Sequence, residues 1–117
     1  MKECNCGCQT IIHEDIVESS KNIMLEEGKL IDMADFFKIF GDYTRLKIIN
    51  ILLHNKMCVS DIASTLGVSH SLVSHQLRVL KEFKVVKFNK FGKIVYYELD
   101  DSHIKKIFDE GCEHINE

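Results

Sequence analysis

The stretch that decides the fold is Cys58-Val59-Ser60-Asp61-Ile62-Ala63-Ser64-Thr65-Leu66-Gly67-Val68-Ser69-His70-Ser71-Leu72-Val73-Ser74-His75-Gln76-Leu77-Arg78-Val79-Leu80-Lys81-Glu82-Phe83. Its opening reads as a short helix closed by Gly67, the residue type that most easily takes the left-handed conformation at a helix end. Val68-Ser69 makes the turn, and Ser69 is a good N-cap for a second helix reaching about Phe83. Leu72, Val73, Leu77, Leu80 and Phe83 form the apolar stripe of that second helix. Two short helices joined by a tight turn containing glycine are a helix-turn-helix.

Working outward, Val85 to Asn89 and Ile94 to Leu99 read as strands, with Asn89-Lys90-Phe91-Gly92-Lys93 as the tip of a hairpin. Asp100-Asp101 then starts a terminal helix over 101–116, with Ile104, Ile107, Phe108, Gly111, Cys112 and Ile115 on one stripe. Upstream, Asp42 caps a helix from Tyr43 to about His54 that is apolar nearly all round and so buried on most sides. Before it, Leu30 to Phe40 forms a helix ended by Gly41, and Ile11 to about Glu27 another, with Gly28 as its stop. The order α-α-α-α-α-β-β-α is that of a winged helix-turn-helix, a mainly α fold of the α+β class. The domain reading is a flexible Cys-rich tail over 1–10 and one domain over 11–117.

Composition bounds the function. With 117 residues, 45% apolar and 28% charged, the chain is the size and balance of one soluble globular domain. No run approaches the about 18 apolar residues of a membrane span, and the first thirty residues lack a signal-peptide pattern. Neither a membrane partner nor export is expected. The five cysteines therefore read as cytosolic thiols open to metal rather than as disulfides, with Cys4, Cys6 and Cys8 grouped near the start. No H-E-x-x-H or H-x-E…C-x-x-C pattern marks an active site, so neither an enzyme nor a small-molecule substrate is expected.

Charge is uneven. Residues 69–93 hold Arg78, Lys81, Lys84, Lys87, Lys90 and Lys93 against Glu82 alone, a local +5 on a chain of net −3 that leaves −8 elsewhere. A basic block on an acidic protein is an electrostatic footprint for a polyanion. In a helix-turn-helix the second helix enters the major groove of double-stranded DNA. Its exposed residues are expected to be His70, Ser71, Ser74, His75, Gln76 and Arg78, opened by Ser69. Ser donates and accepts, Gln suits adenine, and Arg suits guanine or phosphate. Lys90 and Lys93 at the hairpin tip reach phosphates, which add affinity without sequence information.

The terminal helix carries a metal-ligating pattern, Asp101-x-His103 and, further on, His114-x-x-Glu117. His103 and His114 lie about 16 Å apart along a helix, yet nearly on one face. One ion with bonds of about 2 Å cannot bridge them within a chain. A second copy of the helix, packed antiparallel about a two-fold axis, can. Facing residues then share an index sum, and the pairs 103/114 and 101/117 give 217 and 218. A homodimer with two equivalent N/O sites for Zn²⁺ or Co²⁺ follows. A softer site centres on Cys58, a poor N-cap at a helix start that favours the thiolate. Cys4, Cys6 and Cys8 could complete it around Cd²⁺, Pb²⁺ or Zn²⁺.

These residues together resemble the ArsR/SmtB family of bacterial metal-responsive repressors, most of all its CadC-type cadmium/lead/zinc sensors. The carriers are Met57-Cys58-Val59-Ser60-Asp61, the recognition segment Val68 to Leu80, the wing Gly92 to Leu99, and the terminal Asp-x-His…His-x-x-Glu set. The resemblance implies a homodimer, joined through its N- and C-terminal helices, that binds operator DNA when metal-free. Metal releases it, derepressing an efflux or resistance gene. It maps the thiolate site to Cys58 with N-terminal cysteines of the partner chain, and the zinc site to Asp101, His103, His114 and Glu117. At Ser60 the chain departs from CadC-type sensors, which carry a second Cys there. A thiol-based redox-sensing repressor and a metal-buffering protein are the alternatives.

Overall fold

A computed structural model describes residues 10–117. The elements are α1 (Glu14–Ile23), α2 (Glu27–Phe40), α3 (Tyr43–Leu52), α4 (Val59–Leu66), α5 (His70–Glu82), β1 (Val86–Phe91), β2 (Ile94–Leu99) and α6 (Ser102–Ile115). Two compact units share the chain, one ending at Met33 and one running from Ala34 to Glu117.

In the first unit α1 buries nothing; Ile16 and Ile23 are exposed, as are Leu30, Ile31 and Met33 at the start of α2. The break between the helices falls at Met24–Glu26, before Gly28, which sits in the first turn of α2. Gly28 is thus not a helix stop. Gly41, by contrast, follows the last residue of α2 as expected, and Gly67 closes α4 with positive φ.

The second unit is built around one core. Ile48 and Ile49 of α3, Ile62 of α4, Val73, Leu77 and Leu80 of α5, and Val85 and Val86 entering β1 are almost wholly excluded from water. Ile39, Leu52, Ala63 and Ile104 complete the cluster. Burying one such aliphatic side chain stabilises by roughly 1.5–3 kcal/mol, so these residues fix how α3, α4 and α5 cross. Leu72 and Phe83, expected in the stripe of α5, sit at its margins and are about one-third exposed, 36% and 37%.

The helix ends follow from local chemistry. Asp42 accepts from the Arg45 amide at 3.0 Å, and Ser69 accepts from the Leu72 amide at 3.1 Å, as N-caps do. Gly67 takes φ +67° and lets the Val68 amide reach back to the Ala63 carbonyl, which sets the tight turn. At the far end of α5, Lys84 takes φ +61°. Its amide donates to the Lys81 carbonyl and that of Val85 to the Leu80 carbonyl, the paired bonds of a Schellman ending.

β1 and β2 form an antiparallel hairpin with Val86 opposite Leu99 and Phe91 opposite Ile94. The turn is only Gly92-Lys93, with positive φ at Gly92 alone, the pattern of a type II′ turn. This turn is shorter than the five-residue tip expected from sequence, and Lys90 belongs to the strand. Met57 pairs with Tyr97, which ties the residue before Cys58 to the wing. The fold is the winged helix-turn-helix expected. Among the described residues no helix is long and apolar enough to cross a membrane.

Candidate nucleic-acid interface and metal-ligating residues

On α5, Val73, Gln76, Leu77 and Leu80 face the core. At about 100° per residue, Ser71, Ser74, His75 and Arg78 fall within one arc of about 100° on the opposite side. All four are exposed, and His70 stands exposed at the helix start. Ser69 spends its oxygen as the cap and lies 3.3 Å from the Ser71 hydroxyl. Arg78 forms no ion pair among the described residues, so its donors are available to bases or phosphates.

Gln76 does not belong to that surface. It is buried, and its Oε1 accepts from Arg45 Nη1 at 3.0 Å. The helical wheel carries the signal for this: residue 76 falls between Leu72 and Leu80, on the core side. Arg45 is the residue that sequence reading passed over. Its Nε also donates to the Ile39 carbonyl at 3.1 Å, so one guanidinium joins the end of α2, the start of α3 and the middle of α5.

The wing adds exposed cations. Lys93 occupies the turn, and Lys90 lies opposite Val95 on the strand. Lys81 Nζ sits 4.5 Å from the Phe88 ring centre and Lys56 Nζ 4.8 Å from that of Phe91. These contacts hold charge beside the hairpin, with no acidic partner to either lysine among the described residues.

On α6, Asp101 is the N-cap and accepts from the His103 amide at 2.8 Å. His103 Nδ1 stands 3.1 Å from the same oxygen. The His103 side chain and then its amide, both bonded to this carboxylate, hold Asp101 below the usual carboxylate range. Asp101 is therefore ionised and His103 oriented. His114 and Glu117 are exposed at the other end of the helix. Among the described residues no three His, Cys, Asp or Glu side chains converge on a metal position within one chain. The donors are chemically suited to zinc, but the chain holds them in two separate halves.

Ile104 of α6 is buried and Phe108 packs against the same core. Beyond them the stripe is open: Phe40, Leu46, Ile107, Phe108, Cys112 and Ile115 line an apolar groove of about 380 Å³. Cys58 is half-buried at the head of α4, makes no capping bond, and borders a cavity of about 500 Å³ with Asp61, Lys93 and Tyr96. Cys4, Cys6 and Cys8 lie outside the described residues.

Residues 42–87 match the family described as bacterial regulatory protein, arsR family. A cadmium resistance transcriptional regulatory protein CadC homolog of Staphylococcus aureus is 39% identical over 109 residues, 92% of this chain and 89% of that one. A transcriptional repressor SmtB homolog of Synechocystis is 34% identical, covering 93% and 83%. Among solved structures, that of apo-NmtR aligns with TM-score 0.68 and 31% identity, covering 78% of this chain and 76% of that one. HlyU from Vibrio cholerae aligns with TM-score 0.70 at 24% identity, covering 79% and 100%, a likeness of fold alone. The chain belongs to the arsR family of bacterial regulatory proteins and is, by that membership, a transcriptional regulator of winged helix-turn-helix type.

Proposed function

We propose that the chain works as a homodimeric, metal-sensing repressor: metal-free dimer on operator DNA, released when Zn²⁺, Cd²⁺ or Pb²⁺ binds. The observation that carries this reading is the division of the α6 donors. Asp101 and His103 stand at one end and His114 and Glu117 at the other, with no cluster inside one chain among the described residues. A partner copy running antiparallel brings opposite halves together, and the groove along α6 gives it a surface to cover. Asp101, His103, His114 and Glu117 would hold the ion, supplying the nitrogen and oxygen donors zinc accepts. Cys58 with the N-terminal cysteines would hold a softer ion. Ser69, His70, Ser71, Ser74, His75, Arg78, Lys90 and Lys93 make up the DNA-contacting set.

Repression follows from geometry. Two recognition helices must meet successive major grooves about 34 Å apart, so any ion that favours another spacing weakens DNA binding. By linkage, DNA weakens metal binding by the same factor. The test is fluorescence anisotropy on a duplex selected from random sequence by the metal-free protein. Stoichiometric Zn²⁺ or Cd²⁺ is expected to lower affinity at least tenfold; unchanged affinity with both ions overturns the sensor reading.

A further inference from the structure

The DNA-contacting face of α5 has no side chain of its own that fixes how far the helix is rotated about its axis. Its buried side is aliphatic, and aliphatic contacts are non-directional. Among the described residues, the one side-chain hydrogen bond from α5 to another helix is that of Gln76, buried, accepting from Arg45 Nη1 at 3.0 Å. Arg45 is itself held at both ends: its amide donates to Asp42, and its Nε to the Ile39 carbonyl. Arginine suits this position because a planar fork reaches two acceptors at fixed angle, which the single ammonium of lysine cannot do. Both acceptors are neutral, so the contact is a matter of geometry rather than of charge pairing.

We propose that Arg45 is a positioning residue for DNA reading, setting through Gln76 the rotation at which Ser71, Ser74, His75 and Arg78 meet the major groove. The inference rests on the DNA-binding reading above. A rotation of about 20° moves a side-chain tip at about 6 Å from the axis by about 2 Å, enough to break a hydrogen bond to a base edge. Contacts to phosphates through mobile lysines survive such a shift. Loss of the Arg45–Gln76 bond therefore lowers specific binding while leaving non-specific binding in place.

Three variants test this on the full chain, by anisotropy against a duplex selected by the wild type and against a scrambled duplex of equal length. Gln76→Met removes the acceptor and keeps the volume; it is expected to weaken the selected duplex about tenfold and the scrambled one less than twofold. Gln76→Glu keeps an acceptor opposite Arg45 and is expected to stay within threefold of wild type on both. Arg45→Lys is expected to behave as Gln76→Met. Equal binding of the selected duplex by Gln76→Met and wild type overturns the proposal, as does an equal loss on both duplexes. So does loss of cooperative unfolding in Gln76→Met and Arg45→Lys alike, which would make the pair a plain packing strut. If the wild type selects no duplex, it is the DNA-binding reading that fails.

Discussion

Met57 and Tyr97 exchange both backbone hydrogen bonds, 3.0 Å from the Met57 amide and 2.8 Å from that of Tyr97. The pair fastens the entrance of α4 to the second strand of the wing, so Cys58, one residue on, belongs mechanically to both. Met57→Pro removes one of the two donors, and a proline is tolerated poorly where a ladder bond is made. The expected cost is about 1–3 kcal/mol in urea unfolding, with lost hydrogen-exchange protection at the Tyr97 amide. Full protection of that amide in the variant would show that the wing stands without this tie.

Lys84 carries a side chain in a conformation that favours glycine. Relief of about 1–2 kcal/mol is offset by the greater freedom of glycine in the unfolded chain. Lys84→Gly is therefore expected to stabilise the fold by about 0.5–1 kcal/mol in thermal or urea unfolding, unless the backbone there relaxes out of the Schellman ending.

Cations on the wing and on α5 are expected to differ in kind. Lys93→Ala weakens binding to all duplexes alike and lowers the slope of log K against log salt by about 1. Arg78→Ala relaxes discrimination between sequences by about 1–3 kcal/mol at the positions it reads. Titrations at three salt concentrations, on selected and scrambled DNA, separate the two outcomes.

The α6 site is expected to be shared between chains. His103→Ala and His114→Ala homodimers each lose both zinc sites, whereas mixing them restores one site in each heterodimer, because one pair of intact halves then meets. Competition against a chromophoric chelator measures the stoichiometry; failure of the mixture to recover zinc would overturn ligation across the two chains.

Legibility in the sequence tracked how local each cause was. Asp42, Gly67 and Ser69 act on their own turn of chain, and each did in the fold what its type led one to expect. Gly28 misleads because a glycine at a helix boundary fits the first turn of the following helix, where it stands, as well as the end of the preceding one. Asn89 to Lys93 has the composition of a five-residue tip, but Gly92 at positive φ closes the turn in two and leaves Lys90 in the strand. The amide of Gln76 suits a base contact by its chemistry, whereas its angular position on α5 puts it in the core. Arg45 had no local pattern to mark it, since its side chain joins the Ile39 carbonyl six residues back to Gln76 31 residues on. Of the proposed metal residues, Asp101 and His103 come together as their spacing allows, whereas His114 and Glu117 stand apart from them at the other end of α6.

α6 is anchored at one end only. Ile104 and Phe108 seat its first half in the core, while Ile115, at 81% exposed, marks a final stretch held by nothing else in its own chain among the described residues. From Phe108 to Ile115 the helix projects about 11 Å. A pull on the tip is thereby delivered at the pivot as a tilt of a stiff rod, and the pivot touches the same packed interior that seats the reading helix. Such a lever converts a displacement of a fraction of an ångström at the root into several times that at the tip, and runs equally well in reverse.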